Sequence, residues 1–198
     1  MNPGGPATDG TSRVFDRVLD VHDLPNNVRV GDRTVITGEQ SFKRFHSAIE
    51  PVALTVGAGC TIDGVSFALG PEARMTVGDN CYVTSAVLLC ELEVLIGSCV
   101  LIGWNATIAD TDFHPIAPAQ RIDDAIACSP ASDGRARPAM VRRPVIIEDD
   151  VWIGPAATIL KGVRIGAGAF IEPGSVVSSD VPSRARVIGN PAQVVGRV

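Results

Sequence analysis

The sequence predicts an all-β chain wound into a parallel β-helix of triangular section, with one long protruding loop and a small N-terminal flank. Three observations carry this. From residue 56 onward, aliphatic side chains recur every six positions in five groups of three: Val56, Ile62, Ala68; Val77, Val83, Leu89; Ile96, Ile102, Ile108; Ile147, Ile153, Ile159; Ile165, Ile171, Val177. Fourteen of these fifteen are Val, Ile or Leu, where the 51 such residues among 198 would place about four by chance. Second, the next position is glycine in six hexads (Gly57, Gly78, Gly97, Gly103, Gly154, Gly166), and the fifth position is small or valine in twelve. Third, every break in the period follows a third hexad: three extra residues after that of Ala68, one after that of Leu89, and 33 after that of Ile108.

A coil of eighteen residues with three flat sides explains all three. Each hexad is one side, a short strand and a turn. The first-position aliphatics point inward and stack on the coil above, the fifth-position residues fill corners, and the glycines suit turns that need positive φ. One coil cannot bury its own face, so the coils are stable only as a stack. A sandwich of six-residue strands would need period-two alternation and hairpin signals, and neither is evident.

Taken in order, residues 1–50 form the N-terminal tail and flank. Residues 1–12 read as disordered, and residues 13–21 (RVFDRVLDV) as a short helix. Val30, Ile36 and Phe42 share the six-residue spacing, with Gly31 correctly placed for a further coil. The helical stack spans 51–182, with a protruding loop at 109–146, and 183–198 cap the open end, where bare strand edges invite association.

Composition narrows the function. A net charge of −5 argues against a nucleic-acid binder, which needs a basic face. No apolar run has the ~18–20 residues of a membrane span, and MNPGGPATDGTSR lacks the apolar stretch of an export signal, so a cytoplasmic protein is expected. The five cysteines include no CxxC pair and read as buried small hydrophobes.

Of three histidines, His22 and His46 lie in the flank and read as ordinary surface or packing residues. His114 sits in ADTDFHP, where the repeat breaks and the long insertion begins. A neutral histidine at that corner can take a proton from a hydroxyl or amine. Asp110 and Asp112 are near in sequence, and either can hold the imidazole tautomer. The insertion, residues 115–146, has five arginines (Arg121, Arg135, Arg137, Arg142, Arg143) against Asp123, Asp124 and Asp133. It reads equally as a cover over an anionic ligand and as a solvated loop.

The stretch PVIIEDDVWIGPAATILKGVRIGAGAFIEPGSVVSSDVPSRARVIGNPAQVV resembles the C-terminal half of hexapeptide-repeat acyltransferases, most closely the sugar O-acetyltransferase branch. Asn105-x4-Asp110-x3-His114-Pro115 is similar to their active-site segment. The resemblance covers about residues 50–198. It implies a left-handed β-helix and a homotrimer, with acetyl-CoA as acyl donor in the groove between neighbouring helices. It implies His114 as general base, Asn105 near the acceptor hydroxyl, Trp152 at the pantetheine or acceptor end, and Pro173 and Ser178 along the groove. Gly154, Ala156 and Ala157 fall in the donor-binding turn, and Lys161, Arg164, Arg184, Arg186 and Arg197 are candidates for the coenzyme A phosphates. One departure matters: where relatives present a backbone N–H to the acyl oxygen, this chain has Pro155, which has none, so Ala156 or Ala157 would have to donate.

The reading is an acetyl-CoA-dependent O-acetyltransferase acting on a sugar or another small hydroxylated acceptor, with no metal. An N-acetyltransferase on an amino sugar or antibiotic is the enzymatic alternative, and a non-catalytic β-helical scaffold or binding module is the other. A zinc enzyme on this fold would need three histidine ligands, and only His114 lies in the helix.

Overall fold

The structure, a computed structural model, describes residues 18–19 and 23–198. Among these, nineteen strands and one helix follow one another. The first coils hold β1 (Val28–Val30), β2 (Val35–Thr37), β3 (Leu54–Val56), β4 (Thr61–Asp63) and β5 (Ser66–Leu69). Next come β6 (Arg74–Val77), β7 (Tyr82–Thr84), β8 (Val87–Cys90), β9 (Glu93–Ile96), β10 (Leu101–Ile102) and β11 (Thr107–Ala109). The helix α1 (Pro118–Ala127) lies in the insertion. The chain then resumes as β12 (Val145–Ile147), β13 (Trp152–Ile153), β14 (Thr158–Ile159), β15 (Arg164–Ile165), β16 (Phe170–Ile171) and β17 (Val176–Val177), and ends in β18 (Ala185–Gly189) and β19 (Ala192–Arg197).

Strands of successive coils pair in parallel, so three sheets form the sides of a prism: β1-β3-β6-β9-β12-β15, β19-β18-β16-β13-β10-β7-β4-β2, and β17-β14-β11-β8-β5. The stack therefore begins at Val28, ahead of residue 51. The β18–β19 hairpin is the one antiparallel pair among the described strands, and it extends the eight-stranded sheet beyond β16. The helix expected over 13–21 lies mostly outside the described residues, as do residues 1–12 and His22. Its described part is extended: Val18 bridges antiparallel to Thr37, and Leu19 N–H donates to the Ile36 carbonyl at 2.8 Å.

Thirteen of the fifteen repeat aliphatics are in the buried core. In the eight-stranded sheet Ile36, Ile62, Val83, Ile102, Ile153, Ile171 and Val187 stand in register. The two exceptions correct the reading. In the five-stranded sheet the inward column is Phe67, Leu88, Ile108, Ile159, Val177, not Ala68 and Leu89. The turns before β5 and β8 are one residue shorter, with Gly64 (φ 61) and Ser85 (φ 46) bending at the third hexad position. Val65 and Ala86 accordingly fill the corners in place of Ser66 and Val87.

The glycines also act differently from expectation. The positive φ of each regular turn falls at the fourth position (Arg33, Gly59, Asn80, Cys99, Asn105, Asp150, Ala156, Gly162, Gly168, Gly174), not at the glycines of the second. Those glycines permit close approach instead. A Cβ on Gly103 would lie 2.8 Å from Pro155 N, and one on Gly154 2.6 Å from Pro173 N, so the backbone of the next coil occupies that space. Of the cysteines, Cys60, Cys81 and Cys90 are buried as expected, whereas Cys99 and Cys128 are exposed. Burial pushes the Cys81 thiol up to about 11 and the Cys90 thiol higher still, so both stay protonated and inert.

The register correction is testable. Leu88→Ala removes a fully buried side chain and should cost about 2–5 kcal/mol in urea unfolding. Leu89→Ala, on a half-buried outward position, should cost clearly less. Equal losses would contradict the shortened turn.

Candidate functional site

The insertion leaves the prism after β11, at the corner between the five- and six-stranded sheets, and its neck is tied on both sides. Asp110 is fully buried. Its carboxylate accepts backbone N–H bonds from Glu91 (2.8 Å), Leu92 (2.7 Å) and Glu93 (2.8 Å) of the coil below, and the Cys90 thiol lies 3.5 Å away. Its carbonyl accepts from Arg143 N–H at 2.8 Å, and Thr111 bridges antiparallel to Arg142. Asp110 is therefore an anchor for the neck and does not orient the histidine. Asp112 does not either: its carboxylate pairs with Lys161, and its carbonyl accepts the His114 backbone N–H at 2.7 Å.

The carboxylate that meets His114 is Asp124, from α1. Pro118 at the first turn suits the start of α1, since a proline there loses no helical hydrogen bond. The helix carries Asp124 inward as its buried residue. Asp124 Oδ2 lies 2.5 Å from His114 Nδ1, with the Asp124 side chain 1% exposed and the imidazole 63% exposed. Arg137, on the returning arm, bonds both Asp124 oxygens. Hydrogen bonds from Arg137 first, and from His114 second, hold the Asp124 carboxyl down to about 2. An ionised acceptor beside Nδ1 favours a proton on that nitrogen, so the neutral form of the ring carries its lone pair at Nε2. Sequence reasoning missed Asp124 and Arg137 as site residues and counted them only as loop charges; no six-residue period runs through the insertion to place them.

The remaining expected residues are spread over the prism. Asn105 lies ahead of β11 and His114 beyond it, so they occupy opposite ends of one side of the triangle. Asn105 adopts a left-handed backbone (φ 58) in the exposed turn that also carries Trp104. Trp152 stacks on Phe170 with centroids 4.2 Å apart, and Tyr82, Leu101, Trp152 and Phe170 form one outward column on the eight-stranded sheet. Tyr82, Leu101, Trp104, Trp152 and Pro155 line a shallow cavity of about 280 Å³ on that face.

Ala156 and Ala157 do not present the donor that Pro155 lacks. Ala156 N–H already donates to the Trp104 carbonyl of the preceding coil at 2.8 Å, and Ala157 N–H closes its own turn on the Gly154 carbonyl at 3.2 Å. Gly154 is buried beneath Pro173. Lys161 is engaged with Asp112 and Arg186 with Glu172. Arg184, Pro173 and Ser178 are exposed. Among the described residues, no three His, Cys, Asp or Glu side chains converge as a metal site, and no helix is long and apolar enough to cross a membrane.

Comparison with known proteins agrees with this architecture. Residues 144–179 match the family described as bacterial transferase hexapeptide (six repeats). The chain is 30% identical over 144 residues to a galactoside O-acetyltransferase of Lactococcus lactis subsp. lactis, covering 72% of this chain and 62% of that relative. A shorter stretch of 52 residues is 58% identical to a 2,3,4,5-tetrahydropyridine-2,6-dicarboxylate N-acetyltransferase of Staphylococcus aureus, covering 26% of this chain and 22% of the relative. The chain thus spans less than two thirds of either curated relative. A hexapeptide-repeat acetyltransferase of Vibrio cholerae, solved with acetyl coenzyme A, has the same fold at a TM-score of 0.55 and 24% identity, over 85% of this chain and 70% of that one. The periodic core, the matched repeats and these relatives agree: residues 144–179 carry the repeats of the bacterial transferase hexapeptide family, and the chain as a whole is similar to hexapeptide-repeat acetyltransferases.

Proposed function

We propose that the chain is an acetyl-CoA-dependent O-acetyltransferase, a left-handed β-helix working as a homotrimer on a hydroxyl of a sugar or another small acceptor. The observation that carries this reading is the His114 imidazole held at Nδ1 by a buried, ionised carboxylate. Acetyl-CoA supplies the acyl group, and the outward aromatic column ending at Trp152 and Phe170 gives pantetheine an apolar wall. Pro173 and Ser178 line the groove further along, and exposed Arg184 and Arg197 are the cations for its phosphates. Lys161 and Arg186 are less suited, because each has a carboxylate partner already.

The chemistry follows from the tautomer. His114 Nε2 takes the proton of the acceptor hydroxyl as its oxygen attacks the thioester carbonyl carbon. Asp124 stabilises the imidazolium that forms. The tetrahedral intermediate collapses, the C–S bond breaks, and the imidazolium returns the proton to the departing thiolate. No acyl-enzyme is required when both substrates are bound side by side. The separation of Asn105 and His114 along β11 supports a site shared between subunits, in which Asn105 of one chain meets His114 of the next.

An N-acetyltransferase is the second reading, favoured by the 58% identity over 52 residues to the Staphylococcus aureus enzyme. Supplying hydroxyl and amine acceptors in one assay separates the two.

Calorimetry should find coenzyme A and acetyl-CoA binding at about micromolar strength with about one site per chain. His114→Ala should leave that binding intact and lower kcat by about 100-fold or more. No binding to a folded sample would favour the scaffold reading. Mixing His114→Ala with Asn105→Asp chains should restore part of the activity that each lacks alone, because a fraction of shared sites receives both native residues. No restoration after subunit exchange would place the two residues outside a common site. The Asp124 carboxyl is depressed, so its ionisation stabilises the folded insertion fully above the ordinary value of 3.8, and this is lost as pH falls toward about 2. Hydrogen-exchange protection of the His114 amide, relative to its intrinsic rate, should therefore fall across that window in the native chain and not in Asp124→Asn.

A further inference from the structure

One side chain reaches three segments of the insertion at once. Arg137 Nε donates to Asp124 Oδ1 at 2.7 Å and Nη2 to Asp124 Oδ2 at 3.0 Å, the parallel fork that a planar guanidinium makes with a carboxylate. The same Nη2 donates to the Phe113 carbonyl at 2.9 Å and lies 3.5 Å from His114 Nδ1. Phe113 is left-handed (φ 64), a backbone state unfavourable for a non-glycine residue unless its surroundings hold it. Its carbonyl belongs to the peptide that enters His114. Arg137 thus grips the ring's carboxylate and the peptide that aims the ring.

An exposed ion pair would do little, but Asp124 is 1% exposed. A carboxylate so enclosed needs both its partners, and without Arg137 it would keep only the imidazole. It would then be free to rotate, or to draw the imidazole into an ion pair that offers no bare nitrogen. The other groups near this cluster do not replace the fork. Asp112 is paired with Lys161, the Cys128 thiol lies 4.0 Å from Asp124 Oδ1, and Arg142 turns away to Glu72 and the Glu91 carbonyl.

We propose that Arg137 is the positioning residue of the site: it fixes Asp124 and Phe113 so that His114 is held as the Nδ1–H tautomer with Nε2 open to the acceptor. This rests on His114 being the base. It also assigns the returning arm of the insertion a function apart from covering substrate, because α1 supplies the carboxylate and the arm supplies the group that aligns it.

The test is nitrogen-15 NMR of imidazole-labelled full-length chain at a pH where the ring is neutral, beside steady-state kinetics. His114 should show a protonated Nδ1 and a bare Nε2. Arg137→Gln should give a mixture of tautomers and a kcat lower by about 10–100-fold, with KM for acetyl-CoA unchanged. Arg137→Lys, which keeps the charge without the fork, should recover only part of each. Wild-type nitrogen shifts in Arg137→Gln would overturn the proposal, as would a loss confined to KM and melting temperature. An Nε2–H tautomer in the native chain would overturn it without any variant, which covers the case in which Arg137→Gln does not fold. If the tautomer follows Arg137 while neither hydroxyl nor amine acceptors are acetylated, the positioning role stands and the transferase reading fails.

Discussion

The stacking of one inward side chain per hexad on its equivalent in the next coil is the contact from which the rest of this molecule follows. The strands β1–β17, of two to four residues, are too short to be stable alone, and each coil exposes its apolar interior above and below. Parallel pairing of successive coils closes that interior and satisfies the backbone in one step. Coil spacing is then fixed, and residues without side chains are needed where a neighbouring backbone passes within reach of a Cβ, as at Gly103 and Gly154. The constraint is strict along the sides and loose at the corners. Side positions must keep register with a neighbour, whereas a corner can extend outward at small cost to the stack.

The candidate site exploits that asymmetry. It is built where the chain leaves the lattice of coils, and the lattice supplies what the insertion lacks by itself. Asp110 carries the join: a fully buried carboxylate would be costly unpaired, and three N–H donors from the preceding coil compensate it. The four residues that follow place His114 against a helix that no repeat dictates. A regular framework thus holds the entrance rigid, and an irregular segment provides the functional groups.

The same asymmetry explains what could be read from the sequence. The repeat was legible because every coil offers the same environment to the same position, which yields the columns through Ile102 and Ile153 and the placement of His114 at the break. Phe67 and Leu88 were misassigned by one residue because the runs SFAL and VLLC are apolar at adjacent positions, and a turn shortened by one residue leaves no mark in such a run. The turn glycines were found but given the wrong physical role, since a glycine needed for space and one needed for φ look alike in sequence. Asp124 and Arg137 were beyond pattern reading. Their partners lie 10 to 24 residues away within a segment of single occurrence, so no second copy of the environment exists to reveal them. The available signal was Pro118 ahead of a short amphipathic stretch, which marks the helix but not the residue it buries.

The closed neck of the insertion has a further consequence. The Asp110 carbonyl and Arg143 N–H meet at 2.8 Å, and Thr111 bridges to Arg142, so the two ends are joined before the loop proper begins. Segments between those points do not transmit changes in their length to the coils. The entropy of closing a loop grows only with the logarithm of its length, about 0.6 kcal/mol for each doubling. The corner therefore behaves as a socket: the scaffold can exchange one inserted cassette for another of different size while its own register is preserved.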